Sequence, residues 1–114
     1  MALELRGDYE PAREQYRRAI EIRTRELGED HPSVAKTLNN LANTYLREND
    51  FERAAQHYRD ALDAVRTSLG PRHLTVAAPL NHLARAEMQL GARAEALEHA
   101  REALEIRLDV LGPE

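Results

Sequence analysis

The 114-residue sequence has no cysteine, no tryptophan, one phenylalanine and four tyrosines. Without cysteine there are no disulfides, no thiolate chemistry and no cysteine-bound zinc. So few aromatic residues leave Leu and Ala to pack the interior, which suits helices rather than a sandwich or barrel. No run of 18 apolar residues is available to span a membrane and no signal peptide is present, which points to a soluble cytoplasmic protein without membrane partners. A basic stripe is missing too. The 16 basic and 20 acidic residues are mixed along the chain and leave a formal charge of -4, against nucleic acid as a partner. The only serines, Ser33 and Ser68, lie outside any nucleophile-elbow context, and there is no glycine-rich phosphate loop and no His-Glu-x-x-His motif. The chain therefore reads as no enzyme, with no cofactor and no metal.

What is present is a repeat. Sliding the chain against itself by 42 residues pairs Ala12 with Ala54 and Ala96, Ala19 with Ala61 and Ala103, and Leu27-Gly28 with Leu69-Gly70 and Leu111-Gly112. Between these positions His31, Val34, Ala35, Leu38, Asn39, Leu41 and Ala42 recur as His73, Val76, Ala77, Leu80, Asn81, Leu83 and Ala84. Within a unit the apolar residues follow helical spacing. Val34, Leu38, Leu41, Ala42 and Tyr45 mark one face of a first helix, here called A. Phe51, Ala54, Ala55, Tyr58, Ala61, Leu62 and Val65 mark a second, called B. Each unit is thus a helical hairpin.

The punctuation agrees. A glycine after the last apolar residue of each B helix predicts a left-handed cap, and Asn49 replaces glycine at the middle A-to-B turn because it tolerates the same conformation. Residues 1–6 read as the end of an A helix. Then follow B over about 8–27, A over 32–48, B over 51–68, A over 74–90 and B over 93–110. The units are a partial repeat over 1–28, a complete repeat over 29–70 and a second over 71–114, in one solenoid. This phase suggests an excised piece, or a chain that completes itself with a second copy.

Two positions break the pattern. Pro79 falls inside the third A helix and predicts a kink or a delayed start. Glu87 stands where Tyr45 fills the space in the previous copy, so looser packing is expected there. The repeat-equivalent His57 and His99 lie off the apolar face and read as solvated.

The set Leu38, Leu41-Ala42, Tyr45, Asn49, Phe51, Ala54, Tyr58 and Ala61-Leu62 resembles the tetratricopeptide repeat across nearly the whole chain. The 42-residue period, the Leu-Gly-x-x-His-Pro loop (Leu27 to Pro32) and the Leu-Asn-Asn-Leu-Ala run (Leu38 to Ala42) are closest to its kinesin-light-chain type. The resemblance implies an all-α, right-handed superhelical solenoid of five main helices, its A helices lining a concave groove that accepts an extended peptide or a partner helix. It also implies structural roles for His31 and His73. Lys36, Asn39, Asn43 and Arg47 form one stripe along the middle A helix, and Asn81, Arg85 and Gln89 form the matching stripe on the next. Amides there can pair with a peptide backbone while the cations attract acids. The asparagines read equally well as ties between helices. In the family's carboxylate clamp a lysine and an asparagine would stand at Asn39 and Asn43; the lysine is missing here. The expected function is a scaffold that binds an extended polar or acidic peptide or protein partner. The alternative is self-assembly, in which exposed repeat ends pair two copies as a homodimer.

Overall fold

The structure, a computed structural model, describes residues 9–112. These form five α-helices: α1 (Glu10–Leu27), α2 (Pro32–Arg47), α3 (Phe51–Leu69), α4 (Ala77–Gln89) and α5 (Arg93–Leu111). A 3₁₀ turn, Leu74–Val76, precedes α4. Each helix packs on the next, so α2–α3 and α4–α5 are hairpins and α1 lies against α2 as the B helix of a preceding unit. The result is an all-α, right-handed solenoid. The expected A-helix end at residues 1–6 lies outside the described residues.

The core is the one the periodicity marks. Leu41, Ala42 and Tyr45 of α2, Ala54, Tyr58, Ala61 and Leu62 of α3, and Leu80, Leu83 and Ala86 of α4 are all buried in one cluster. Burying a leucine such as Leu80 contributes about 1.5–3 kcal/mol relative to leaving it exposed. Ala54 is wholly buried, and a small residue there lets α2 and α3 approach closely.

Local chemistry sets the helix ends. The imidazole Nδ1 of His31 accepts from the backbone N–H of Ser33 at 3.1 Å, and that of His73 from Thr75 at 3.2 Å, so both histidines cap the first turns that follow them. Asn49 takes φ +65° at the α2–α3 turn, the left-handed conformation that its short amide tolerates. Gly70 differs from expectation. Its φ of 98° is positive but its ψ of 154° is extended, a region open essentially to glycine alone. No atom would meet a Cβ at Gly70, so the backbone angle and not space requires glycine. Pro79 delays the α-helix rather than kinking it. The turn before it is 3₁₀, α4 begins only at Ala77, and the proline falls within the first turn, where an N–H has no intrahelical partner to lose.

Successive hairpins meet through two repeat-equivalent clusters. In the first, Arg17 of α1 donates to the Tyr45 hydroxyl of α2 at 2.9 Å, and His57 of α3 stacks on the Tyr45 ring with centroids 5.4 Å apart. In the second, Arg59 of α3 approaches Glu87 of α4 at 3.7 Å, and His99 of α5 lies 2.7 Å from the other Glu87 oxygen. Glu87 is only 2% exposed and is held by polar contacts to both neighbours. One expectation is corrected here. His57 and His99 are partly buried because their flank of the B helix faces the A helix of the same hairpin. Burial lowers the His57 pKa below the ordinary histidine value of 6.5.

Arg13 was not foreseen. It is 5% exposed, donates to the Thr44 hydroxyl at 3.0 Å and the Thr44 carbonyl at 3.3 Å, pairs with Glu48, and lies 4.0 Å over the Tyr45 ring. Its repeat equivalents are Ala55, which is buried, and Leu97, so the 42-residue pattern marks the position as a buried one but not as the place of a cation.

Candidate functional site

The A helices α2 and α4 flank a furrow that holds three depressions in succession. The first, of about 330 Å³, is mostly apolar; Ala35, Lys36 and Asn39 of α2, Val65 of α3 and Ala78 and Pro79 of α4 line it. The second, of about 240 Å³, is lined by Asn43, Leu46 and Arg47 of α2 and His82 and Arg85 of α4. The third, of about 230 Å³, adds Asn49, Phe51 and Gln89 to Leu46 and Arg85. Helical spacing produces this arrangement. Positions 36, 39, 43 and 47 on α2 and positions 78, 82, 85 and 89 on α4 each advance by three or four residues, so each set stays on one face.

The furrow therefore brings six of the seven sequence-predicted residues together: Lys36 and Asn39 in the first depression, Asn43 and Arg47 in the second, Arg85 in the second and third, and Gln89 in the third. Asn81 is partly buried one position away and lines none of the three. Sequence reasoning missed His82, Leu46 and Phe51. For His82 a signal existed, since it shares a helical face with Arg85 and Gln89.

The asparagines divide. The Asn43 Oδ1 accepts a hydrogen bond from the hydroxyl of Tyr58, which is fully buried on α3. Asn43 is thus a tie between the two helices of its hairpin. Burial pushes the Tyr58 pKa up to about 12, which keeps the phenol protonated as donor. Asn39, by contrast, has a buried Oδ1 with no hydrogen-bond partner among the described residues, as has the Nδ1 of His82. The His82 ring tilts against Tyr58, with centroids 5.3 Å apart. Burial, and then the nearby Arg85 charge, lower its pKa below 6.5, so near neutral pH it is an uncharged imidazole between two arginines.

Charge is sorted across the molecule. No acid lines any of the three furrow depressions, whereas Lys36, Arg47 and Arg85 do. A depression of about 440 Å³ among α1, α2 and α3 is lined by Glu29, Asp30, Asp60 and Asp63 and by no base. A further depression of about 610 Å³ between α1 and α2, lined by Tyr16, Ala19, Arg23, Lys36, Thr37 and Asn40 among others, was not anticipated. Lys36 stands on the ridge shared with the furrow. Among the described residues no group of three or more His, Asp or Glu could hold a metal, and no helix is long and apolar enough to cross a membrane.

Family models described as tetratricopeptide repeat match residues 1–67 and residues 76–114. No curated protein matches significantly. Among 29 solved chains that match is the crystal structure of TPR-like repeats from a kinesin-light-chain-like protein of Podosopora anserina, with a TM-score of 0.82 at 23% identity. The match covers 96% of this chain and 51% of that one, so this chain spans about half its length.

Proposed function

The chain belongs to the tetratricopeptide repeat family, whose members generally mediate protein–protein interaction, and from that premise we propose that it is a non-catalytic scaffold holding an extended acidic peptide in the α2–α4 furrow. The carrying observation is the furrow's charge: Lys36, Arg47 and Arg85 line it and no acid does. An acidic side chain gains charge-assisted bonds from the arginines. A clamp for a terminal carboxylate is not part of the proposal, because asparagine replaces lysine at position 39. A cytoplasmic setting fits a chain without cysteine.

The test is fluorescence anisotropy with labelled acidic, neutral and basic peptides at several salt concentrations. Acidic peptides should bind best, affinity should fall with salt, and Arg85→Glu should cost at least tenfold. Equal binding of acidic and basic peptides, unchanged by Arg85→Glu, would sink the reading. Asn43→Ala is a poor probe, since it also removes the Tyr58 partner.

One observation favours a second reading, self-association through a repeat end. Leu97, Leu104, Leu108 and Leu111 of α5 are each 44–61% exposed, an apolar patch of the kind that marks an interaction surface.

A further inference from the structure

Among the side chains of the second furrow depression, an incoming ligand meets donors alone. Asn43 commits its Oδ1 to the Tyr58 hydroxyl, which leaves its NH2 group as the part that can serve the depression. The His82 Nδ1 is buried without a partner. A buried orphan N–H is rarer than a buried orphan acceptor, so the proton of the neutral ring is assigned to Nε2, a donor. Arg47 and Arg85 add two guanidiniums, and Leu46 is the remaining lining residue. Every polar side chain around this hollow of about 240 Å³ thus offers N–H groups, from two helices, and no carboxylate is among them.

The two arginines bear on one spot. One stands on α2 and the other on α4, yet both charges reach the phenol of Tyr58, where each works against the upward push of burial. Arg85 bears on the His82 ring as well. The ligand that suits such a seat follows from counting charges and oxygens. A carboxylate carries one charge and two oxygens, which a single guanidinium fork occupies, so the second arginine and the neutral donors gain little from it. A phosphate monoester carries close to two charges and three acceptor oxygens. Those oxygens can take N–H groups from both arginines, the Asn43 amide and the imidazole within one group.

We propose that this depression is the seat of a phosphoserine or phosphothreonine in the bound peptide. The proposal rests on the acidic-peptide reading of the furrow and adds the modified residue and the groups that hold it. Preference for phosphate over carboxylate comes from the two rigid guanidinium forks, because a fork matches phosphate oxygens in pairs whereas an ammonium is a point charge. Lys36, in the neighbouring depression, has only such a point charge and serves the ordinary acids of the same peptide.

The test is fluorescence anisotropy of the 114-residue chain with a labelled peptide of alternating glutamate and glycine, carrying serine, aspartate or phosphoserine at one central position. Such a repeat presents the same background in every register, so the central residue can slide to its seat. At about pH 7.5, where the phosphate is largely a dianion, the phosphoserine form should bind about tenfold tighter than the aspartate form. Arg47→Lys and Arg85→Lys, at exposed positions, keep the charge and lose the fork. Each should cut the phosphoserine-to-aspartate ratio to about twofold, with helicity checked by circular dichroism. Equal affinity for the phosphoserine and aspartate forms, both above the serine form, overturns the phosphate seat and leaves the acidic-peptide reading standing. A phosphoserine preference that survives both arginine substitutions puts the phosphate elsewhere and overturns the assignment of this depression. Salt-insensitive binding, or no binding, of all three forms overturns the acidic-peptide reading and this inference together.

Discussion

The two clusters that join successive hairpins share two members and differ in the third. Arg17 and Arg59 are repeat-equivalent, as are His57 and His99, but between them stands a tyrosine in the first cluster and a glutamate in the second. Tyr45 fills its place with an aromatic ring that accepts one hydrogen bond and stacks on imidazole. Glu87 fills the same place with a carboxylate that is buried and therefore depends on both neighbours. A ring contributes by area and shape, and a buried acid contributes only while it is paired. The first cluster should therefore respond most to loss of its centre, and the second to loss of a neighbour.

The largest expected effect is at the first centre. Tyr45→Ala removes a buried ring that also carries Arg13 and Arg17, and should cost about 3–5 kcal/mol in a urea unfolding experiment. A loss below about 1 kcal/mol would show that the ring is not the keystone of that cluster. Next comes His99→Ala. It leaves Glu87 with only the distant Arg59, and should cost about 1–3 kcal/mol, whereas His57→Ala should cost less because Tyr45 keeps Arg17. Equal losses at the two histidines would erase the distinction. A smaller effect sharpens it: Glu87→Tyr places the first cluster's residue between the second cluster's neighbours and should move stability by less than about 1.5 kcal/mol either way. The smallest concerns pH. Burial lowers the pKa of His57 and His82 in the folded chain, so below about 6.5 the unfolded chain takes up protons that the native one refuses. Stability should fall as pH falls through that window. His57→Phe and His82→Phe together should flatten the urea midpoint against pH, and an unchanged slope would assign the protons elsewhere.

The helices, their order and most of the core could be read from the sequence because they depend on spacing. Ala54, Tyr58 and Leu62 are buried for the reason that their period gave. The candidate site was legible to the same depth: spacing put Lys36, Asn39, Asn43, Arg47, Arg85 and Gln89 along one furrow. Spacing could not assign hydrogen bonds. Whether Asn43 faces a ligand or Tyr58 depends on a distance across two helices, and Asn81 misses the furrow by a rotation of one position. Arg13 was opaque for another reason: its equivalent Ala55 is buried, but a charged residue at that position argues against burial, and only Thr44, Tyr45 and Glu48, supplied by the neighbouring unit, make the site tolerable.

The sorting of charge has a kinetic consequence. With Glu29, Asp30, Asp60 and Asp63 around one hollow and Lys36, Arg47 and Arg85 along another, the molecule is electrically lopsided although its formal charge is only -4. An acidic peptide of the kind proposed would be turned away from the carboxylate side and drawn to the cationic one before any contact forms. Salt should therefore slow arrival much more than it hastens departure. In stopped-flow mixing the association rate constant should fall steeply with ionic strength while the dissociation rate constant barely moves.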